Sequence, residues 1–345
     1  MKNKKCEICG SKDFKLLYIL EDCNRRNKGV FKIVKCKKCK FVYLNPVLNR
    51  KELNKFYLST CYKMDLNEKE KEGLSERYEL INHFKKKGKI LDIGAAQGFF
   101  LKFMKDKGWD VKGVELSKEA CSFAKRKLNL NITNKDFIKT DLKNEKFDVM
   151  TMFEVMEHIP NINENLKKIY NHLKNKGVLI ISVPNFNSLQ RFIFGRYWCH
   201  IDVPRHLYHF TRKTIKKLLL NNGFVIEKTF GSLVLAKGNI LSGLIKRLRQ
   251  NIPSGNKKDK DIQSSLKGNP CLSCPSVLIG HPESYLISGF KTLDSRIREN
   301  DTKNDFFNSL NTYKIQFIKP ISLMIRLLSF VTGTTGTMHI VARKR

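Results

Sequence analysis

Between residues 89 and 230 the chain alternates two hydrophobic patterns. Short apolar runs occur at Lys89–Ile93, Val111–Val114, Phe147–Phe153, Gly177–Val183 and Phe224–Phe230. Between them, apolar residues recur every three or four positions, at 99–105, 118–130 and 214–221. The first set predicts buried strands and the second predicts amphipathic helices. Strands that alternate with helices predict an α/β fold built on a largely parallel sheet. A last apolar run, Gly336–Ala342, predicts one more strand near the C-terminus.

The first strand runs into a small-residue turn, Gly94-Ala-Ala-Gln-Gly98, and then a helix from Phe99. A strand, a tight turn and a helix form a nucleotide-binding unit: the backbone can approach a ligand, and the helix start offers free amides. The second strand ends in Glu115, 21 residues after Gly94. A carboxylate there can accept both hydroxyls of a ribose. Asn134-Lys-Asp136-Phe137 adds a polar, acidic and aromatic step suited to the edge and face of an adenine. On this evidence alone a dinucleotide fold or an empty α/β scaffold remains open.

Two cysteine pairs change the picture of the N-terminus. Cys6-Glu-Ile-Cys9 and Cys36-Lys-Lys-Cys39 are separated by 26 residues, with the strand-like Phe31–Val34 before the second pair. Two tight turns, each giving two sulfurs and joined by a hairpin, supply the tetrahedral set that a structural zinc takes. The competing reading is two redox-active or incidental pairs. Lys4, Lys5, Lys35, Lys37 and Lys38 can offset the net charge of four thiolates around one zinc. Cys23 and Cys61 have no partner at ligand spacing, and Cys271-Leu-Ser-Cys274 has no second pair.

Taken in order, Leu91-Asp-Ile-Gly94, the Glu115 strand, Glu154-Val-Met-Glu157-His158 and Val183-Pro-Asn185 resemble the class I S-adenosylmethionine-dependent methyltransferases. The likeness is to the bacterial group that includes the ubiquinone-biosynthesis O-methyltransferases, and covers roughly residues 75–230 and 333–345. It implies a Rossmann-like seven-stranded methyltransferase sheet whose last strand is antiparallel, joined to a small zinc-ribbon-like module. It also implies that S-adenosyl-L-methionine sits at Gly94, Ala96, Gly98, Glu115, Leu116, Asp136, Phe137 and Phe153. The family usually has glycine where Ala96 stands; a negative φ is expected there, which makes alanine harmless, whereas a positive φ would cost about 1 kcal/mol.

Residues 186–223 carry a second cluster, from Arg191 to Thr211, that resembles the Trp…Pro-x-His-Leu…Phe-Thr segment of relatives with N-terminal cysteine pairs. Two readings stand: a substrate lid carrying a base, or a loop packing its aromatics over the sheet edge. The first makes His206, His158 and His209 candidate catalytic bases, and Asn185, Trp198 and Arg205 candidate acceptor contacts. The expected division is a zinc-ribbon-like module at 1–50, a helical connector at 51–88, a methyltransferase domain at 89–250 and 306–345, and an insertion at 251–305.

Composition limits the partners. With 41 % apolar residues over 345, global disorder is excluded. No membrane-length apolar run and no secretory-type start are present, so a cytoplasmic protein is expected, its ten cysteines reduced. The balance of 66 basic to 32 acidic residues, +34, fits either an anionic partner or an AT-rich coding bias. Asn239–Gln250 and Ile315–Val331 are amphipathic, and read as a packed helical hairpin or as a basic pair touching an anionic membrane peripherally. A small-molecule acceptor, such as a sugar, lipid-linked saccharide or quinone-like hydroxyl, is the leading expectation. An RNA methyltransferase is the alternative, although the Phe153-Glu-Val-Met loop is unlike the Asn/Asp-Pro-Pro-Tyr loops used on base amines. A non-catalytic zinc-dependent scaffold is the third.

Residues 251–305 hold 8 basic and 7 acidic residues and four of the nine prolines, and resemble translated palindromic-repeat DNA. A disordered insertion between neighbouring strands adds loop entropy at only about 0.6 kcal/mol per doubling of length. A variant lacking 251–305 is therefore expected to melt within a few degrees of the parent and to bind S-adenosylhomocysteine equally well. Aggregation, or loss of cofactor binding, would make the segment part of the fold.

Overall fold

The computed structural model describes residues 4–22, 29–57, 66, 68–231 and 335–345. The expected insertion at 251–305, both amphipathic pieces, Cys23, Cys61, Cys271 and Cys274 lie outside the described residues.

Two sheets organise the chain. The smaller begins with β1 (Phe14–Glu21), β2 (Val30–Cys36) and β3 (Val42–Leu44). After them come α1 (Arg50–Asn54) and α2 (Glu68–Phe84), which leads into the larger sheet. That sheet is assembled by β4 (Lys89–Ile93), α3 (Phe99–Asp106), β5 (Asp110–Glu115), α4 (Lys118–Leu128), β6 (Thr133–Asn134) and β7 (Phe147–Phe153). The chain continues through α5 (Ile162–His172), β8 (Leu173–Pro184), α6 (Leu189–Phe194), β9 (Tyr208–His209), α7 (Arg212–Asn221), β10 (Phe224–Gly231) and β11 (Thr337–Lys344). The larger sheet has the order β10-β11-β8-β7-β4-β5-β6. Its strands are parallel except β11, which runs antiparallel between β8 and β10, as expected.

The central strands are apolar throughout because both of their faces are covered. Ile90, Val149, Val178, Ile180 and Val341 face Leu74 and Ile81 of α2, Leu101 and Met104 of α3, and Ala124 of α4. Their neighbours Leu91, Met150, Leu179, Ile181 and Ile340 face the opposite way. There they share a core with α5, α7 and the cysteine-bearing sheet. Helix α4 ends at Leu128 rather than at the expected Leu130, because Asn129 turns left-handed at φ 50 and caps it, its N–H on the Ala124 carbonyl.

The smaller sheet holds a surprise for the sequence reading: its order is β1-β2-β3-β9. Val42 pairs with His209 and Tyr43 with Tyr208. The segment with a lid as one of its two expected readings thus supplies, through Tyr208–His209, the fourth strand of the cysteine sheet. The Phe41 ring packs against Tyr43, Tyr208 and Phe210, with centroids 5.5–5.8 Å apart.

His339 of β11 is buried, and neither ring nitrogen has a hydrogen-bond partner. Burial, helped by the Arg77 charge, lowers its pKa to about 3. The neutral ring is therefore required by the fold, while the unfolded chain takes up a proton below the ordinary value of 6.5. Stability linked to His339 is complete above pH 6.5 and is lost as pH falls towards 3. His339→Phe is expected to raise the melting temperature and to remove about 2 kcal/mol of acid destabilisation between neutral pH and pH 5. Unfolding curves at the two pH values check this; equal pH dependence in both proteins would contradict it.

Candidate functional site

The turn after β4 is built from left-handed residues. Gly94, Ala96 and Gly98 have φ of 78, 48 and 82. The expected negative φ at Ala96 is therefore wrong. The reason is a hydrogen bond: in this conformation the Ala96 N–H reaches Glu115 Oε2 at 2.9 Å. A side chain at Gly94 would bring its Cβ within 2.5 Å of Val155 Cγ2, so the loop after β7 lies directly on this turn.

Glu115 ends β5 with Oε1 accepting from Ser117 N at 2.9 Å. Each carboxylate oxygen has a second lone pair, so the group can still take ribose hydroxyls. Leu116 beside it is 46 % exposed, an unusual state for leucine at a strand end and one that suits the face of a base. Asp136 caps a short 3-10 turn, Phe137–Lys139, its Oδ1 accepting from Ile138 N. Lys168 of α5 donates to the carbonyls of Phe137, Ile138 and Thr140 and so anchors that turn. The Phe137 ring is buried, with Lys168 Nζ 5.0 Å from its centroid.

Three acidic groups and one arginine, none of them singled out by the sequence reading as functional, lie beside the turn and the end of β7. Asp92 is buried on β4 with Thr151 Oγ1 donating to it at 2.6 Å. Burial pushes its pKa up to about 7, against the opposing effects of that hydrogen bond and of Arg77. The Arg77 guanidinium lies 4.4 Å from the Phe153 ring centroid, and burial lowers its pKa against the charges of Asp92 and Glu154. Glu154 is left-handed at φ 58, and its Oε1 accepts from Ser182 Oγ at 2.7 Å. Burial raises the pKa of Glu154, and burial together with the Glu154 charge raises that of Glu157 further. Leu-Asp-Ile-Gly and Glu-x-x-Glu were visible as motifs; what was not visible is that folding closes them on one another.

The three candidate histidines come together. The rings of His158 and His206 are 4.6 Å apart, and His209 is 6.4 Å from His206. His206 Nδ1 lies 2.8 Å from the His200 carbonyl, which can only accept, so Nδ1 carries the hydrogen and Nε2 a lone pair. By the same argument His158 Nδ1 donates to the Arg205 carbonyl at 3.1 Å, with Tyr57 Oη at 3.0 Å. The Nε2 atoms of both, and both Glu157 oxygens, are buried without hydrogen-bond partners. Ligand atoms of Glu157, His158 and His206 lie within 4.8 Å of one another, a donor set that could hold a divalent cation. Burial lowers His158 to about 4 and His209 to about 3, and His206 falls well below its usual value. All three are neutral at physiological pH.

The candidate acceptor contacts are occupied internally. Trp198 is fully buried, edge-on to His200 at 5.0 Å. Asn185 donates to the Thr335 carbonyl and accepts from Asn187 N. Arg205 is fully buried, paired with Asp202 through Nε at 2.9 and 3.0 Å and with Asp22 through Nη1 at 3.0 Å. Phe153, expected at the cofactor, packs edge-on to Phe100.

The four N-terminal cysteines converge, their sulfurs all within 4.8 Å. Cys6 Sγ is 3.4 Å from Cys39 Sγ, and Cys9 Sγ is 3.5 Å from Cys36 Sγ. The edge of a tetrahedron of sulfurs at the usual zinc–sulfur distance is about 3.8 Å, so the set fits a zinc ion. Burial first, and then the neighbouring thiols, push the Cys39 thiol up to about 11 and Cys6 further still, whereas at Cys36 burial is outweighed by hydrogen bonds from the Cys39 and Lys38 backbone and to the other thiols, which bring it down to about 7.

Comparison with known proteins gives a family match. Residues 66–229 match the family model described as a methyltransferase domain. The chain is 36 % identical over 138 residues to the ubiquinone biosynthesis O-methyltransferase of Glaesserella parasuis serovar 5, covering 36 % of this chain and 58 % of that protein. It is 27 % identical over 167 residues to the enzyme of the same name from Rickettsia typhi, covering 43 % and 65 %. The chain thus spans less than two thirds of the length of these relatives. A solved S-adenosylmethionine-dependent methyltransferase from Archaeoglobus fulgidus overlays with a TM-score of 0.45 at 18 % identity, covering 80 % of this chain and 94 % of that one, a likeness too low to carry weight.

The sulfur geometry predicts about one zinc per chain in purified protein, lost in the double variant Cys36→Ser, Cys39→Ser. Elemental analysis checks this; no zinc in the parent, or zinc kept by the variant, would contradict it.

Proposed function

We propose that this chain, which belongs to the class I S-adenosylmethionine-dependent methyltransferases, moves a methyl group from S-adenosyl-L-methionine to a hydroxyl of a small acceptor, quinone-like or a saccharide. The observation that carries the reading is the left-handed turn Gly94–Gly98 pinned to the Glu115 carboxylate through Ala96. Bound there, the cofactor would supply an activated methyl on a sulfonium with a good leaving group. The turn would take the methionine end, Glu115 the ribose, and Leu116 and Asp136 the base.

The chain's own task is alignment and proton removal. His158 and His206 would present neutral Nε2 lone pairs to an acceptor hydroxyl and take its proton as the methyl arrives. Imidazoles shifted this far down are weak bases, so their main service is to orient the oxygen. The names of the two relatives favour a quinone-like acceptor. A zinc held by Cys6, Cys9, Cys36 and Cys39 would be structural, since four sulfurs leave no open position.

Calorimetry with S-adenosylhomocysteine is expected to show one site per chain. Glu115→Ala removes charge-assisted bonds worth about 1.5–3 kcal/mol each, partly replaced by water, and should weaken binding from several-fold to a hundredfold. Tight binding of a nicotinamide dinucleotide in place of S-adenosylhomocysteine would overturn the proposal.

A further inference from the structure

Residues 49–57 form a strap that lies outside the larger sheet. Asn49 and Glu52 cap α1 reciprocally, and Leu53 is fully buried beneath it. At one end, Arg50 Nε donates to Asp136 Oδ2 at 3.0 Å, the side chains 23 % and 14 % exposed. At the other end, the Phe56 carbonyl accepts from Arg205 Nη1 at 3.3 Å, and Tyr57 Oη stands 3.0 Å from His158 Nδ1. One short segment, roughly 10 Å long at helical rise, therefore touches both the carboxylate assigned above to the base and the histidine assigned above to the acceptor.

We propose that Arg50 is a positioning residue for the cofactor: it fixes the Asp136 carboxylate to accept from an adenine amine, and base binding in turn holds the strap in the place where Tyr57 already meets His158. This rests on the methyltransferase reading above. The argument is one of capacity and geometry. Asp136 Oδ1 is engaged by its own turn, and Oδ2 is directed by Arg50, which leaves lone pairs for an exocyclic amine. A carboxylate without Arg50 can rotate away or be claimed by water. Because the strap and the base share one carboxylate, each stabilises the other, and that coupling must be reciprocal. An ion pair with no ligand role would behave differently: it would contribute little to stability and nothing to choice of base.

The test compares S-adenosylhomocysteine with its inosine counterpart, in which the amine is replaced by a carbonyl, on the full chain. The parent is expected to prefer the adenosine compound by about tenfold or more, from one lost hydrogen bond to a charged acceptor. Arg50→Met should weaken the adenosine compound about tenfold and cut the preference to about threefold or less, Asp136→Asn should do the same, and Arg50→Lys should recover part of it. Hydrogen exchange supplies an independent readout: S-adenosylhomocysteine should slow exchange across 49–57 in the parent and not in Arg50→Met. Unchanged affinity and preference in Arg50→Met, or a strap indifferent to ligand in the parent, overturns the proposal. A parent that binds neither compound overturns the methyltransferase reading itself, and this proposal with it.

Discussion

A guanidinium with no exposure to solvent needs its charge answered on every side, and Arg205 has that. Asp202 takes it from its own segment, Asp22 from the end of β1, and the Phe56 carbonyl from the strap. Removing one partner of a buried pair costs about 3–5 kcal/mol, because the other charge is left stranded. Three stretches of chain separated by up to 183 residues are therefore locked at one point. The backbone of that same residue holds His158 in its tautomer. The candidate histidines thus stand where this charge network puts them.

The larger sheet supplies the other half of the site. Its first turn depends on a residue doing something its side chain does not favour: Ala96 is left-handed so that its amide can meet Glu115. Glu154 is left-handed as well, at the end of β7. Backbone held in a sparsely populated region persists only where its surroundings over-determine it. Here both residues flank the place where the turn and the loop meet. The Gly94–Gly98 turn is thus built by backbone geometry on the larger sheet, and the histidine cluster by buried charge and imidazoles beside the cysteine sheet. The strap at 49–57 is the piece that touches both Asp136 and His158.

The strands and helices of the larger sheet were legible because their hydrophobic periods differ and each run is bounded by polar turns. Glu115 was legible from its distance to Gly94, and the cysteine set from its spacing. Three things were not. The φ of Ala96 depends on a carboxylate nineteen positions away. β9 is two residues long, too short for any period to show, and is strand only because β3 lies beside it. Arg205 reads as a free cation in sequence, yet Asp22 and Asp202 consume it. The first two, and the Asp22 half of the third, are settled by a partner distant along the chain, which a local pattern does not encode.

The central claim is that the cysteine sheet holds the histidine segment in place while the Gly94–Gly98 turn stands on its own sheet. Hydrogen exchange in Cys36→Ser compared with the parent tests it most directly. Residues 198–210 should lose protection when the cysteine site is broken, because β9 pairs with β3 and Arg205 pairs with Asp22, while residues 89–115 keep theirs. Unchanged exchange at 198–210 would mean that the histidine segment is ordered independently of the cysteine sheet, and the account would be wrong.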